Sequence, residues 1–163
     1  MLDPQAQALI DLIAERGIPP THTLTPADAR TFYRERRSFS QPAARTMAEV
    51  RDLAAPGPLG PIPLRPYRPA GLVDYRMGPE PRFPAAPADC LAATRWLQAQ
   101  AGALGLDATR FAVGGDSAGG NLAAVVCLAW RDAGEAVPLA FQLLIYPATD
   151  MRAHAPSHTS DGQ

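Results

Sequence analysis

The sequence predicts an α/β protein with a parallel sheet between residues 110 and 146. Helical and strand patterns alternate through the second half of the chain, and in this order the strands on either side of a helix become parallel neighbours. In addition, 47% of the 163 residues are hydrophobic, which is enough to bury the core of one ordinary domain.

The first 45 residues are predicted to form two helices. Apolar residues recur at helical spacing up to Ile13, and Gly17 with the two prolines after it ends this helix. Thr25 is a typical N-cap, because a proline and then an acidic residue follow it, and the helix that it opens extends to about Arg37. We therefore expect residues 1–45 to form a helical segment apart from the sheet.

The middle of the chain is predicted to contribute short strands. Residues 48–53 and 62–67 have strand patterns, and a turn rich in glycine and proline at residues 57–60 joins them. Because proline cannot donate to a sheet ladder, the second of these strands is expected at a sheet edge. Residues 72–76 are predicted to form a further short strand.

Two helices and two strands are predicted for the second half. A helix over residues 87–103 has Cys90, Ala93, Leu97 and Ala101 on one apolar face. It leads to a short strand at 110–114, and a helix with one apolar face covers residues 118–134. Residues 139–146 are nearly all apolar, which predicts a strand covered on both faces.

Composition limits the partners and the compartment. The net charge of −1 favours neither nucleic acid nor an anionic membrane surface. The N-terminus lacks the features of a signal peptide, and the apolar stretches are too short to span a bilayer. Cys90 and Cys127 lack the spacing of a metal site and are interpreted as buried free thiols rather than a disulfide. These observations predict a cytoplasmic protein without a metal.

The run from Gly115 to Gly120, GDSAGG, is the most informative motif. A short apolar run precedes it and a helical pattern follows it, so the G-x-S-x-G pattern falls in a strand-to-helix turn. Glycines tolerate the crowded backbone of such a turn, which presents the hydroxyl of Ser117 at the end of the sheet. The N-terminal N–H groups of the following helix point at this serine, where a developing oxyanion would lie.

The chain resembles the bacterial esterases of the hormone-sensitive-lipase-like group, within the α/β-hydrolase fold. Several separate motifs follow the order of that family over almost the whole chain. The matching segments are residues 2–5, residues 50–52 with 60–65, residues 73–80 with 82–86, residues 115–121 and residues 146–150.

This resemblance implies a carboxylic-ester hydrolase that forms an acyl-enzyme on Ser117, with the N–H of Ala118 as one oxyanion donor. Residues 1–45 would form part of a cap over an acyl pocket, and residues 46–163 a partial hydrolase core with a mostly parallel sheet flanked by helices. A small acyl ester would be the substrate, and no cofactor is expected, since the chemistry needs only side chains and water. The turn itself is assigned to Gly115, Asp116, Gly119 and Gly120.

The chain departs from the family in two places. The His-Gly-Gly oxyanion loop of the family belongs between Gly71 and Leu72, where this chain passes directly from one strand into the tail of another. By ordinary element lengths, about 40 residues are missing there. The chain also ends in family-like sequence soon after Tyr146, and the acid and histidine of the family lie well beyond that point. These two departures are interpreted as the loss of one internal segment and of the C-terminal part.

The remaining candidates for the acid and base follow the last predicted strand. They are Asp150 with His154 or His158, but residues 151–163 have the composition of a loose tail, which would not hold a base in place. His22 is interpreted as a loop residue.

A second group of charged residues matches a family motif. Asp74, Arg76 and Glu80 are interpreted as a structural network near the end of the sheet, since ion pairs of this kind also attract charged residues.

Three hypotheses for function remain open. The first is an ester hydrolase of which this chain, alone expected to be inactive, is a part. The second is a non-catalytic binding or interaction protein, including self-association through exposed strand edges. The third is a decayed fragment.

Overall fold

A computed structural model describes residues 3–40, 46–47, 49–67, 70–134, 139–150 and 152. The chain divides into two compact units, Met1–Thr46 and Met47–Gln163. The helices are α1 (Pro4–Glu15), α2 (Pro26–Ser40), α3 (Ala85–Ala99), α4 (Ala101–Leu104) and α5 (Ala118–Asp132). The strands are β1 (Leu53–Ala55), β2 (Ile62–Tyr67), β3 (Ala70–Val73), β4 (Phe111–Asp116) and β5 (Leu139–Ile145).

The first unit contains the two predicted helices, each begun by a side-chain cap. An oxygen of Asp3 accepts the backbone N–H of Gln5 at 2.8 Å at the start of α1. At α2, the hydroxyl of Thr25 accepts the backbone N–H of Asp28 at 3.2 Å and donates to its carboxylate at 2.7 Å. In each helix, the bond to the backbone N–H satisfies a donor that the first turn leaves without a partner. Gly17, at a φ of 60°, follows the end of α1, as predicted.

The predicted hairpin of the second unit belongs to a three-stranded antiparallel sheet with the order β1-β2-β3. Leu64 at its centre lies opposite Leu53 on one side and Val73 on the other. The first strand begins later than predicted, at Leu53, and Val50 makes only an isolated bridge to Tyr67.

The prediction that proline confines β2 to an edge is wrong, because β2 is the central strand of its sheet. The carbonyl of Pro63 accepts the N–H of Asp74, one residue beyond the end of β3. Likewise, the carbonyl of Pro66 accepts the N–H of Arg51, before the start of β1. In a strand, the N–H and C=O of one residue point toward the same neighbouring strand. The N–H that each proline lacks would therefore point at a residue beyond the end of β3 or before the start of β1. The regular ladder has no hydrogen bond at these two positions, so none is lost.

The second sheet consists of β4 and β5, which are parallel, and this confirms the predicted α/β class. The helix between them, α5, packs against both strands and forms the crossover. Because the strands are parallel, their carboxyl ends lie at the same sheet edge. Asp116 and Ile145 are paired there, so the residues that follow each strand meet.

Helix α3 links the two sheets through two apolar clusters. Its Ala93 packs with Ile62 and Leu64 of β2, while Cys90 packs with Val126 and Trp130 of α5. All six residues are buried, which confirms the predicted inner faces of these helices. Burying Ile62, Leu64 and Val126 stabilises the fold by about 1.5–3 kcal/mol for each side chain.

The outer face of β5 contradicts the prediction of a strand covered on both faces. Phe141, Leu143 and Ile145 are 62%, 51% and 45% exposed, and they alternate with residues that face α5. Gln142 is one of the latter, and its amide donates to the carbonyl of Ala123 at 3.3 Å. Among the described residues, no element covers the face of β5 that points away from α5. The apolar side chains on that face are therefore left exposed.

Both cysteines are free thiols, as predicted. Burial, and then the nearby charge of Asp89, raise the pKa of the Cys90 thiol to about 12. Cys127 is only half-buried, and its sulfur accepts a hydrogen bond from Gln142 at 2.9 Å. Among the described helices, none has the length and apolar character needed to cross a membrane.

Candidate functional site

Ser117 occupies the junction between β4 and α5 in a strained backbone conformation. Its φ and ψ are 50° and −113°, outside the regions that side-chain-bearing residues normally adopt. Such a conformation costs of order 1–3 kcal/mol and persists only where surrounding contacts enforce it. The side chain of Ser117 is exposed, so the turn presents its hydroxyl to solvent.

The glycines around Ser117 allow the strand and the helix to approach closely. A Cβ added at Gly115 would lie 2.4 Å from the carbonyl carbon of Gly119 and 2.5 Å from its oxygen. One added at Gly120 would lie 3.0 Å from the backbone oxygen of Gly115 and 3.0 Å from the Cβ of Pro147. Gly119 itself has open space at its Cβ position. Gly115 and Gly120 are therefore required by packing, whereas Gly119 is not.

The backbone of Ser117 is held by hydrogen bonds from two directions. Its N–H donates to the carbonyl of Ile145 at 3.0 Å. Its carbonyl accepts the N–H of Asn121 at 3.1 Å, the first bond of α5, and the N–H of Ala148 at 3.1 Å. The amide side chain of Asn121 also donates to the carbonyl of Ala148, at 2.8 Å. Residues after β5 thus tie down the turn that follows β4.

The N-terminus of α5 begins at Ala118, directly after the serine. No side chain caps it. The first N–H groups of a helix lack intrahelical partners, and the helix dipole adds partial positive charge there. This end of α5 is suited to stabilising a negative charge that develops next to Ser117.

Asp116 and Tyr146 lie at the ends of the two parallel strands. The phenol of Tyr146 donates to the Asp116 carboxylate at 3.0 Å, although the two residues are 30 positions apart in sequence. Tyr146 has a φ of 35°, the second positive value at a residue other than glycine among those described. The side chain of Asp116, the residue before Ser117 in the motif, is therefore hydrogen-bonded to the residue that follows β5.

The predicted acid and base candidates are not brought together within the described residues. Asp150 is bound instead by Arg152, whose backbone N–H and guanidinium donate to it at 3.0, 2.8 and 2.7 Å and lower its pKa. His154 and His158 lie outside the described residues. His22 belongs to a short 3-10 turn of the first unit and is exposed.

A buried ion pair lies at the start of α3. The Arg76 guanidinium donates to both carboxylate oxygens of Asp89, one of them at 2.7 Å, and the Arg76 backbone N–H donates at 3.2 Å. Asp89 is fully buried, and the Arg76 side chain is 28% exposed. Arg76 thus takes part in a structural ion pair, as expected. Its partner Asp89 was missed in the sequence analysis, although a lone acidic residue on an apolar helix face is a signal for such a pair.

Asp89→Asn is expected to lower the free energy of unfolding by about 2 kcal/mol, measured by urea denaturation near pH 7. The change leaves Arg76 without its counter-charge, and partial rehydration of that guanidinium keeps the loss below that of a fully buried pair. The control is Asp107→Asn, since Asp107 pairs with Arg110 at an exposed position, where ion pairs contribute little. Equal effects of the two variants would contradict this role of Asp89.

The same pair predicts a pH dependence. Hydrogen bonds from Arg76 hold the pKa of Asp89 below its usual value of 3.8. Because the folded pKa lies below the unfolded one, the stabilisation is fully present above pH 3.8 and is lost as the pH falls through the folded pKa. The stability difference between wild type and Asp89→Asn should therefore shrink only in that acidic range.

One cleft of the second unit is separate from the serine. It has a volume of about 330 Å³ and lies between the β1–β2 turn and the start of α3, where Leu59, Arg82 and Phe83 line it. No residue of the turn around Ser117 contributes to its wall. Within the described residues, this cleft is not a pocket for an ester bound at Ser117.

Comparison with known proteins agrees with this geometry. The family model described as alpha/beta hydrolase fold matches residues 69–163, more than half of the chain. Carboxylesterase NlhH of Mycobacterium tuberculosis is 49% identical over 89 residues, which are 55% of this chain and 28% of that protein. The chain therefore spans less than a third of the length of this relative.

A second relative aligns over a larger share of this chain. Carboxylic ester hydrolase LipN of Mycobacterium tuberculosis is 35% identical over 162 aligned positions that take in 72% of this chain and 43% of LipN. Since 72% of 163 residues is about 117, about 45 aligned positions of LipN have no counterpart here.

Solved structures of esterases superpose on this chain. Ester hydrolase EH1AB1, from the metagenome of Lake Arreo, superposes with a TM-score of 0.88 at 35% identity, over 98% of this chain and 64% of that one. Its structure contains a derivative of bipyridine phosphonate. The chain belongs to the α/β-hydrolase fold family.

Proposed function

We propose that this chain carries the nucleophile of a carboxylic-ester hydrolase, and that the nucleophile is Ser117. The observation that carries the proposal is the strained, exposed serine between β4 and the uncapped start of α5. The family relationship supports it, since the relatives are named carboxylesterases. The substrate class is a small acyl ester, and the compartment proposed from the charge and free thiols is the cytoplasm.

In the proposed reaction, Ser117 Oγ attacks the ester carbonyl carbon while a base takes the hydroxyl proton. The carbonyl oxygen becomes an oxyanion, and the N–H of Ala118 at the start of α5 donates to it. Collapse of this intermediate breaks the bond to the alcohol, which leaves with the proton. Water then attacks the acyl-serine in the same manner, which releases the carboxylic acid and restores Ser117.

The proposed reaction needs a general base that takes the proton of Ser117. The described residues of the second unit contain no histidine. Loss of one triad member in a serine protease lowers turnover by about a millionfold. We therefore propose that these 163 residues alone hydrolyse esters close to the uncatalysed rate, and that residues 1–45 act as a cap only in a protein with a complete acyl site.

The test measures the covalent reactivity of Ser117 and the rate of ester hydrolysis separately. The chain is incubated with a fluorophosphonate, and the modified residue is located by peptide mass spectrometry. The expected result is one adduct, on Ser117, that forms slowly at alkaline pH, where solvent hydroxide takes the proton, with p-nitrophenyl acetate hydrolysis within about tenfold of the buffer rate. An adduct at other residues only, or none after prolonged incubation at saturating reagent, would overturn the assignment of Ser117.

A second candidate is a non-catalytic protein that associates through β5, with itself or with a partner. The exposed face of Phe141, Leu143 and Ile145 favours it, because contiguous apolar surface often marks an interface. In that case Ser117 would not react with the fluorophosphonate, and Leu143→Lys would abolish association measured by sedimentation velocity.

A further inference from the structure

The segment that follows β5 contacts Ser117 on both sides of its Cα. We name residues 145–148 the strap. The carbonyl of Ile145 accepts the N–H of Ser117 at 3.0 Å, and the N–H of Ala148 donates to the Ser117 carbonyl at 3.1 Å. Both polar backbone groups of the serine are therefore bound to one short segment, which limits rotation about its φ and ψ.

The strap bends at Tyr146, between the two residues that contact the backbone of Ser117. The φ of 35° at this residue is costly for an aromatic side chain, of order 1–3 kcal/mol, and needs support from surrounding contacts. Two side-chain hydrogen bonds supply it. The Tyr146 phenol donates to Asp116 at 3.0 Å, and the Asn121 amide donates to the carbonyl of Ala148 at 2.8 Å.

We propose that Tyr146 and Asn121 are positioning residues that hold Ser117 in its strained conformation through the strap, with Asp116 as the acceptor for the phenol. Loss of either of these two side-chain hydrogen bonds allows the strap to change conformation. Ser117 then leaves the conformation that directs its hydroxyl out of the turn. The Ala118 N–H, in the next peptide unit, loses its alignment with the serine at the same time. The chemical consequence of this positioning rests on the proposed function.

The first measurement needs no catalysis. Hydrogen exchange at the N–H groups of Ser117 and Ala148 is followed by NMR on the full chain, in wild type, Tyr146→Phe and Asp116→Ala. Each single variant is expected to speed exchange about fivefold, the effect of one hydrogen bond. The double variant should be no faster than either single one, because both changes remove the same bond.

Two further variants make the result specific. Asp116→Asn keeps an acceptor for the phenol and should retain most of the protection against exchange. Tyr67→Phe deletes a phenol in β2 of the other sheet and should leave both N–H groups unchanged. Unchanged exchange in Tyr146→Phe, or additive effects in the double variant, would overturn the proposal.

The second measurement is the rate of phosphonylation at Ser117. Tyr146→Phe is expected to lower the maximal rate about fivefold at an unchanged half-saturating reagent concentration, a split that general destabilisation would not produce. If no variant is labelled, including wild type, the proposed function fails while hydrogen exchange still decides the positioning. If wild type and Tyr146→Phe react at equal rates, the positioning role of Tyr146 is overturned, and the assignment of Ser117 as the nucleophile is retained.

Discussion

Ser117→Ala is expected to remove all covalent labelling of the chain by a fluorophosphonate, from one adduct per molecule to none. The reagent phosphonylates a serine hydroxyl with loss of fluoride, slowly where only solvent takes the proton, and alanine offers no oxygen to form the bond. Ser117 is the exposed residue to which the strand, the helix and the strap all converge. Intact mass spectrometry after a fixed incubation measures the result, with the adduct read as a mass increase.

The control for this experiment keeps the fold and changes a different serine. Ser38→Ala, in the first unit, should label like wild type. Ser117→Ala should unfold at the same urea concentration as wild type, because alanine can occupy the same backbone conformation and the lost hydroxyl is exposed. Persistent labelling of Ser117→Ala would show that another residue is the reactive one.

Gly115→Ala is expected to destabilise the second unit by about 3 kcal/mol or more, and to disrupt the turn around Ser117. The added Cβ would lie 2.4 Å from the Gly119 carbonyl carbon and 2.9 Å from the Gly119 Cα. These are backbone atoms at the start of α5, so relief requires the helix to move away from β4 rather than a side chain to rotate. Urea denaturation measures the loss, and fluorophosphonate labelling should fall with it.

Gly119→Ala is the matched control, four residues further along the same motif. Its Cβ would meet no atom within 4 Å, and alanine favours a helix over glycine. Its free energy of unfolding should therefore stay within about 0.5 kcal/mol of wild type, or rise slightly. Similar losses for both variants would mean that the crowding at Gly115 does not explain the glycine there.

Several elements could be predicted because their signals are local. Thr25 and Asp28 form the cap of α2 within four residues, and the helical spacing of Cys90 and Ala93 identified the buried face of α3. Such patterns depend on backbone geometry over one or two turns. The place of Ser117 between a strand and a helix is local in the same sense, and the structure confirms it.

Other features depended on strand order. The prolines of β2 were placed at an edge from their missing donors alone, but the staggered ends of β1 and β3 leave room for them in a central strand. The apolar character of β5 predicted cover on both faces, yet one face is exposed among the described residues. The composition of a strand indicates how much apolar surface it can bury, but it does not indicate which other elements will cover that surface.

By itself, the sequence determined the α/β class, the helices and their caps, and the serine in its glycine-rich turn, since each follows from residues a few positions apart. Only the tertiary structure decided that Asp89 is the partner of Arg76 and that the strap holds Ser117. The strap contacts join residues 27 and 30 positions apart. Contacts of this kind arise only when parallel strands end at one sheet edge, and no local preference of the chain encodes that meeting.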